Sequence, residues 1–584
     1  MRKLWFLVVL STVAAACGSD LAPDGSTDAD ADTDTDVDGD ADGDIENTPP
    51  EAAFQATPPA GVAPLDVTFD ASASSDEDGT IALYAWDFGD GSDTETGEQV
   101  VHRFETAGCF EVVLTVGDDR GGADTARSVV VTTGAAPTVD PEITLDGLPG
   151  AGTFVARDVE TGLGALTVTG TVSSPGYSAV RVVVLRDAVP QSVFDGLLCS
   201  RAAADPFEVT VQIDAVLASH ALEVRLVSPG GEVPVTSVED VVAGDVYLVQ
   251  GQSNAEARMF SGDANIDQGP FVRSFGSRSE NPAVTSADVA WHLAEGNAAE
   301  GPGAVGQWAL HMGRVLSDAH GVPVAIINGA RGGMPVTYFQ RNDADPGDMT
   351  TNYGRFLFRV RTAGVDDLVR AIIYYQGESD GADAVGHHDG LVALIADWRE
   401  DFPSLERVYV TQVRPGCGNP SIQLRDAQRR LADEVEGLSV MSTTGLDGHD
   451  GCHFSYTNGY EQLGNRYAAL LGRDLYADDA PRNIDAPNVE SLAWSADGTA
   501  ITLAARDRES PITFDPGAER DFVLEGAAVT VIGGSAVGPD VTLTLSGDGR
   551  TATGLSYVGH EGAGSWIRNG AGIGLLMFHN VLIE

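Results

Sequence analysis

Basic residues and cysteines are scarce in this sequence. Lysine and arginine together number 34 against 87 aspartates and glutamates, and the formal net charge over 584 residues is -53. This acidic balance argues against nucleic acid and anionic membrane surfaces as partners, because both would repel the chain. Five cysteines are too few for a scaffold held mainly by disulfides. At roughly 100–200 residues per domain, the length predicts about three to five domains.

Long apolar runs are also missing at the N-terminus. The apolar run at 4–16 follows Arg2 and Lys3, and it is too short to cross a bilayer. It ends in three alanines directly before Cys17. This pattern resembles a bacterial lipoprotein signal, which implies cleavage before Cys17 and a lipid anchor on its sulfur. The alternative is an ordinary secretory signal, and both predict a protein of the bacterial cell envelope or a secreted one.

Residues 18–48 lack aromatic side chains and have almost no large apolar ones. Aspartate alternates there with alanine, threonine, valine and glycine. Such a segment cannot bury enough surface to offset its ordering entropy, so it predicts a disordered linker. The triad Asp34, Asp36 and Asp38 resembles the start of a calcium loop, but the distal glutamate is missing at the proper spacing.

Residues 49–134 predict an antiparallel β-sandwich. Strand-like alternation appears at 65–70, 81–86 and 110–116, with turn residues between. The run WDFGDG at 86–91, preceded by ASASSDEDG at 71–79, resembles the central motif of the polycystic-kidney-disease (PKD) domain. That resemblance implies an immunoglobulin-like sandwich that acts as a spacer or as a carbohydrate- or protein-contact module.

Two further β-rich segments flank the middle of the chain. Residues 137–242 alternate at 166–172, 180–185, 207–213 and 222–227, and they predict a second small sandwich in which Cys199 is a buried or half-buried thiol without a role. Residues 485–584 alternate at 500–505, 529–532 and 541–545 and predict a C-terminal β-rich domain.

Residues 243–480 change to a rhythm of strand, loop and helix. The predicted strands are 246–250, 324–327, 371–375, 408–412 and 438–442, and the predicted helices are 305–319, 356–370, 389–399, 422–436 and 458–471. This alternation predicts a three-layer α/β domain with a parallel sheet covered on both faces. In such sheets the ligand site lies beyond the carboxyl ends of the strands.

Polar residues follow each of these strands. The first strand leads to GQSN at 251–254, the second to NGARGG at 328–333 and the third to QGES at 376–379, while Arg414 follows the fourth and DGHDGCH at 447–453 the fifth. A purely structural protein has no need of polar groups in every loop at one edge. The convergence therefore predicts an enzyme.

These blocks resemble the SGNH hydrolase superfamily, and more closely the sialate O-acetylesterases and related carbohydrate acetylesterases. The resemblance rests on GQSN at 251–254, Gly332-Gly333, YQGES at 375–379, RDAQ at 425–428 and Asp450-x-x-His453. It implies a flavodoxin-like catalytic domain and a serine esterase without cofactor or metal. The superfamily has an asparagine where this chain has Gln376, as is usual in this subgroup.

The implied site divides into four sets of residues. A serine hydroxyl needs a base to take its proton, and histidine held by a carboxylate is the usual one. The predicted catalytic residues are Ser253 as nucleophile, His453 as base and Asp450 as the residue that orients His453. The predicted oxyanion hole consists of the Ser253 and Gly333 (or Gly332) N–H groups with the Gln376 amide, and the predicted substrate contacts are Gln252, Asn254, Arg331 and Glu378. Cys417 and Cys452 form either a disulfide or two free thiols. Glu378 could instead pair with Arg331, and Asp447 with His449 is a second candidate pair.

The predicted function is hydrolysis of O-acetyl esters on a carbohydrate, either sialic acid or a polysaccharide, through an acyl-enzyme on Ser253. The predicted partners are this acetylated carbohydrate and the membrane, through the lipid on Cys17; no oligomeric state is predicted. Two alternatives stay open: a catalytically inactive carbohydrate- or surface-binding lipoprotein, and a hydrolase for another ester such as an acyl lipid.

Overall fold

The computed structural model describes residues 47–134, 141–199, 204–418, 420–478 and 482–584. Cys17 and most of the predicted 18–48 linker lie outside the described residues. The chain divides into two compact units. Of the described residues, those up to 149 and those within 166–211 and 221–238 form one unit, and those within 150–165, 212–220 and 239–584 form the other.

The first domain is an antiparallel sandwich of two sheets, which confirms the predicted fold of this region. One sheet has the order Gln55–Thr57, Leu65–Asp70, Gln99–Phe104, and the other the order Ala60–Val62, Ala123–Thr133, Gly108–Asp118, Ile81–Asp87, Glu95–Thr96. Burial alternates along Gln99–Phe104, as expected for a strand with one face on the core. Trp86 is fully buried, and its ring lies against Phe54 and Phe69 at centroid distances of 5.0 and 5.5 Å.

The segment after the first domain is also built from strands. Asp205–Asp214, Leu163–Val172 and Ile143–Leu145 form one sheet, while Ala179–Arg186 pairs with Val189–Leu197 in a hairpin and His220–Ser228 follows. Cys199 is exposed and forms a disulfide with Cys109 of the first domain. The prediction of a free, buried or half-buried thiol at Cys199 was therefore wrong, because no local pattern marks a partner 90 residues away.

The central domain contains a sheet in which seven strands lie side by side, with helices between them. Its strands are β1 (Gly231–Gly251), β2 (Val272–Phe275), β3 (Trp291–Leu293), β4 (Val324–Asn328), β5 (Val369–Tyr375), β6 (Arg407–Gln412) and β7 (Leu438–Ser442); its helices are α1 (Ser253–Glu256), α2 (Pro282–Ala287), α3 (Gln307–His320), α4 (Asn352–Thr362), α5 (Ala384–Asp401), α6 (Ile422–Glu434) and α7 (Glu461–Tyr476). The order is β3-β2-β4-β1-β5-β6-β7. All pairs are parallel except β2 with β3.

Both faces of this sheet are apolar, which confirms the predicted three-layer α/β architecture. Along β1, Tyr247 and Val249 belong to the core that contains Trp308 of α3 and Tyr467 of α7. The alternate residues of β1 belong to a second core, with side chains of α4 and α5. Strands buried on both faces read as continuous apolar runs, which is why the sequence located them well.

Several element boundaries differ from the predicted ones. β1 runs through the predicted domain boundary at 242/243, and Phe154–Ala156 pairs in parallel with its residues 242–244. Part of the predicted second sandwich therefore belongs to the central sheet. α4 ends at Thr362 instead of 370, because Gly364 turns the chain with a φ of +69° and β5 begins at Val369. β2 and the antiparallel edge strand β3 were not predicted.

The C-terminal domain is built from strands, as predicted. Val489–Trp494, Ala500–Ala505, Asp540–Leu545 and Val531–Val537 form one sheet, Phe522–Glu525, Gly554–Tyr557 and Phe578–Val581 a second, and Ile512–Phe514 pairs with Ile567–Asn569. At the end of β6, the Gln412 side chain accepts from the N–H of Met577 and donates to its carbonyl, each at 2.9 Å. This buried amide fastens the C-terminal domain to the central sheet.

Among the described residues, no helix is both long and apolar enough to cross a membrane.

Candidate active site

Ser253 is placed by a tight turn at the carboxyl end of β1. Gly251 closes the strand with a φ of +131°, and a Cβ there would collide with the backbone of Tyr375 on β5. Only glycine therefore fits, and the two strands approach closely at this point. Gln252 is buried, and the half-buried Ser253 opens helix α1.

His453 reaches Ser253 from a loop 200 residues further along the chain. Its Nε2 lies 3.0 Å from the Ser253 Oγ, within hydrogen-bond distance. The ring stacks on Phe260, with centroids 3.9 Å apart and an interplanar angle of 7°. Burial lowers the pKa of His453, an effect that Asp450 opposes. The imidazole is therefore neutral at pH 7 and can take the serine proton when Nδ1 carries the ring proton.

Asp450 faces the other ring nitrogen of His453 but does not contact it closely. Its Oδ2 lies 3.7 Å from Nδ1, beyond a normal hydrogen bond. Its Oδ1 accepts the backbone N–H groups of Cys452 and His453, both at 2.8 Å. Burial raises the pKa of Asp450, but these backbone donors together with the His453 side chain outweigh that effect, and the pKa lies below its usual value. The carboxylate is thus ionised, and it shapes the loop as well as facing the imidazole.

The alternative pair Asp447 and His449 is not the one that meets Ser253. His449 Nε2 lies 3.1 Å from an Nη of Arg414, and its Nδ1 accepts the Gly451 N–H at 3.2 Å. Both ring nitrogens are therefore engaged within their own loop and by the neighbouring arginine. The structure brings His453 to the serine.

The backbone beside Ser253 offers donors for an oxyanion. A Cβ on Gly332 would lie 3.5 Å from the Ser253 Cβ, and the Gly332 N–H donates to the Glu256 carboxylate at 3.0 Å. Gly333 has a φ of +76°, and a Cβ there would meet no atom within 4 Å. In the part of the chain that the structure describes, the N–H groups of Ser253 and Gly333 have no acceptor. These two are the candidate oxyanion donors.

Gln376 does not fit the oxyanion role that the sequence predicted for it. Its side chain is fully buried. The amide nitrogen donates to Met334 O at 3.3 Å and to Asp380 at 2.9 Å, and the amide oxygen accepts from Tyr374 at 3.0 Å. Both N–H groups have acceptors elsewhere, so neither remains for an oxyanion.

Three of the four predicted substrate contacts form a buried network instead. Asn254 donates to Glu378 at 2.9 Å and accepts from Tyr460 at 2.8 Å, while Gln252 accepts the Ser379 N–H at 3.1 Å. Gln252, Asn254 and Glu378 are each at most 4% exposed, so their role in this structure is to hold the site together. Burial raises the pKa of Glu378 to about 7.

Arg331 differs from these three because its side chain is about one-third exposed. It forms ion pairs with Glu280 at 2.5 Å and Glu300 at 2.6 Å. The alternative pairing with Glu378 is not formed, since Glu378 bonds to Asn254.

Two further features brace the histidine loop. Cys452, directly before His453, forms a disulfide with the buried Cys417. Arg414 donates to the carbonyl of Gly451 and, at 2.8 Å, to that of Glu561 in the C-terminal domain. Sequence reasoning assigned no role to Arg414, Glu256 or Phe260. Of these three residues, only Glu256 could have been found from the sequence, because it stands three residues after Ser253 and would share a helical turn with it.

Comparisons with known proteins match the catalytic and first domains separately. Residues 243–472 match the family described as carbohydrate esterase, sialic acid-specific acetylesterase, which confirms the predicted esterase domain. Residues 47–133 match the PKD domain family, as predicted. Among solved structures, a carbohydrate acetylesterase from Xanthomonas citri aligns with a TM-score of 0.53 and 20% identity, covering 75% of this chain and 99% of that one. This likeness supports the fold.

Curated relatives match over short stretches. Collagenase ColA of Clostridium perfringens is 43% identical over 60 residues, and pre-pro-metalloprotease PrtV of Vibrio cholerae is 42% identical over 59 residues. Each stretch covers 10% of this chain, and the chain spans 5% of the first relative and 6% of the second. Such short matches do not carry a proteolytic activity over to this chain.

Proposed function

We propose that this protein is a serine esterase that removes O-acetyl groups from a carbohydrate. The observation that carries the proposal is the 3.0 Å approach of His453 Nε2 to the Ser253 Oγ. The candidate oxyanion donors lie beside that serine. The family match over residues 243–472 supports an acetylated carbohydrate as the substrate.

The reaction begins with attack by the Ser253 Oγ on the acetyl carbonyl carbon, while His453 Nε2 takes the hydroxyl proton. The carbonyl oxygen becomes an oxyanion that the N–H groups of Ser253 and Gly333 stabilise. The tetrahedral intermediate collapses when the sugar oxygen leaves with the proton from His453. The products of this half are a free sugar hydroxyl and an acetyl ester on Ser253.

The second half releases acetate. Water attacks the acetyl-enzyme, His453 takes its proton, and the bond to the Ser253 Oγ breaks as that proton returns to the serine. Throughout both halves the ionised Asp450 stabilises the imidazolium across the 3.7 Å gap. Asp450 therefore stabilises the imidazolium by its negative charge more than by a hydrogen bond.

Cellular placement belongs to the same proposal. A PKD domain and two disulfides are typical of proteins outside the reducing cytoplasm. We further propose a lipid on Cys17 as the membrane anchor. Expression with Cys17→Ser tests the anchor: the wild-type protein should partition into detergent and the variant into the aqueous phase, and equal partitioning of both would contradict it.

Acetate release tests the enzyme. The chain from residue 18 onward is assayed with p-nitrophenyl acetate, O-acetylated sialic acid and acetylated xylan. Ser253→Ala and His453→Ala should each lower kcat/KM by roughly three orders of magnitude or more. Ser379→Ala is the matched control, because this serine is exposed in a loop at the same edge of the sheet. A Ser253→Ala variant with unchanged acetate release would overturn the proposal.

A further inference from the structure

The phenyl ring of Phe260 lies flat against the imidazole of His453. Their centroids are 3.9 Å apart, and the two ring planes meet at an angle of 7°. Phe260 is partly buried and packs against the apolar core that contains Trp308 of helix α3. The Arg258 guanidinium also lies over the phenyl ring, with its carbon 5.2 Å from the centroid. The imidazole therefore rests on a side chain that the core anchors.

Three hydrogen bonds fix the loop that carries Phe260. They join its neighbours in the chain to three other parts of the domain: the Met259 N–H to the Asn297 carbonyl at 2.9 Å, the Tyr456 N–H to the Ser261 carbonyl at 2.8 Å, and the Gln307 amide to the Gly262 carbonyl at 2.9 Å. Tyr456 stands three residues after His453. The second bond therefore fastens the loop of Phe260 to the loop of the histidine.

The ring of His453 has weak restraints apart from this stack. Its Nε2 meets the Ser253 Oγ at 3.0 Å, but its Nδ1 lies 3.7 Å from Asp450, too far for a normal hydrogen bond. A histidine side chain turns about two bonds, and a single hydrogen bond at one ring nitrogen does not fix the plane of the ring. Asp450 accepts the His453 backbone N–H and so holds the loop, not the ring. The stack on Phe260 supplies the missing restraint.

We infer that Phe260 is a positioning residue, whose ring holds the His453 imidazole in the plane from which Nε2 takes the Ser253 proton. A close carboxylate hydrogen bond performs this task in a Ser-His-Asp triad. The inference rests on the proposed esterase function. A flat aromatic face restrains the tilt of a second ring, which an aliphatic side chain does not. The negative face of the phenyl ring also attracts the imidazolium that forms during the reaction.

An aromatic ring beside a carbohydrate esterase site could instead serve as a platform for a sugar ring. A platform needs an open face. The imidazole covers one face of Phe260 at stacking distance, and the Arg258 guanidinium also lies over the ring. This arrangement favours a role toward His453 over a role toward the sugar.

Kinetics with p-nitrophenyl acetate test the inference, because this ester has no sugar that could contact Phe260. Phe260→Leu keeps an apolar side chain but removes the flat face. We expect kcat to fall about 3- to 10-fold, the rate equivalent of one aromatic pair, with KM nearly unchanged. Phe260→Tyr keeps the ring and should retain most of kcat. Unchanged kcat in Phe260→Leu, or equal losses in the two variants, would overturn the inference.

Phe271→Leu is the matched control. Phe271 is also partly buried against an apolar core, but it lies directly before β2, at the edge of the sheet opposite the site. This variant loses the same ring and should keep the wild-type kcat. Thermal unfolding of each variant identifies loss of folding. If Phe260→Leu does not fold, Phe260→Met takes its place, because methionine fills irregular gaps and also lacks a flat face.

A crystal structure of Phe260→Leu gives a readout that needs no turnover. We expect the His453 ring to turn out of its wild-type plane, so that Nε2 moves beyond hydrogen-bond distance from the Ser253 Oγ. If the wild type releases acetate from none of the esters, the esterase proposal fails and the ring position still tests the inference. An unchanged ring that keeps the 3.0 Å contact in Phe260→Leu would overturn the inference even in an active enzyme.

Discussion

The substitution Asp450→Asn isolates the charge of the acid that faces His453. An asparagine oxygen can still accept the N–H groups of Cys452 and His453, so the turn of the loop is kept. What is lost is the negative charge 3.7 Å from Nδ1.

Two unit charges 3.7 Å apart interact by about 1 kcal/mol in bulk water and by about 4.5 kcal/mol at an effective dielectric constant of about 20. The Asp450 side chain is 61% exposed, so screening by solvent favours the lower end of this range. We expect a loss of about 1–2 kcal/mol of transition-state stabilisation. Asp450→Asn should then lower kcat/KM about 5- to 30-fold.

The pH dependence of kcat/KM gives a second readout of the same substitution. His453 acts as a base only when neutral, so activity should rise with pH through its pKa, which burial holds below the usual value. Asp450 partly offsets this lowering. Without the charge the pKa falls further, and the acidic limb of the profile should move to lower pH in Asp450→Asn.

Acetate release measured between about pH 4 and 8 on wild type, Asp450→Asn and Asp450→Ala provides the assay. Asp450→Ala also removes the two backbone hydrogen bonds and should cost more than Asp450→Asn. If Asp450→Asn lost as much activity as Ser253→Ala, the charge-based reasoning would be refuted. The working enzyme would then depend on a close Asp–His hydrogen bond that this geometry does not contain.

Further predictions concern the support of the histidine loop. Replacing Cys417 and Cys452 by serine should lower kcat/KM as well as thermal stability, because their disulfide fixes the residue directly before His453. Unchanged kcat/KM would contradict a role of the disulfide in positioning His453. The matched double replacement of Cys109 and Cys199 should lower the free energy of unfolding by about 2–4 kcal/mol and leave kcat/KM unchanged. Asn254→Ala removes the amide that donates to the buried Glu378 carboxylate, and it should lower the free energy of unfolding by about 1–3 kcal/mol in denaturant titration. A smaller loss would show that water replaces the amide.

Sequence reasoning predicted the central sheet well, because strands buried on both faces are continuous apolar runs. β7 begins and ends at the residues predicted, 438 and 442. Sequence reasoning failed where a strand or helix boundary is not marked by such an apolar run. β2 and β3 are short, and the predicted helix at 356–370 ran past Gly364 into β5.

The site divides in the same way. Ser253 and His453 could be predicted because they stand in recognisable blocks that follow buried strands. Gln252, Asn254 and Glu378 stand in those blocks too, but burial, not residue type, decides whether a polar side chain binds substrate or holds the protein together. The engagement of the Gln376 amide by Met334 and Asp380 was beyond sequence reasoning, since it depends on which carbonyls and carboxylates the fold places around that side chain.

The bond between Cys109 and Cys199 closes a covalent ring of chain that includes the end of the PKD domain and much of the β-rich segment after it. A proteinase that cuts once within this ring opens it without releasing a fragment. The nicked protein should run as a single species on a denaturing gel without reductant and as two bands after reduction. If a secreted enzyme with such a ring is cleaved between the two cysteines, the disulfide still holds its N-terminal domain. The PKD domain therefore stays joined to the esterase.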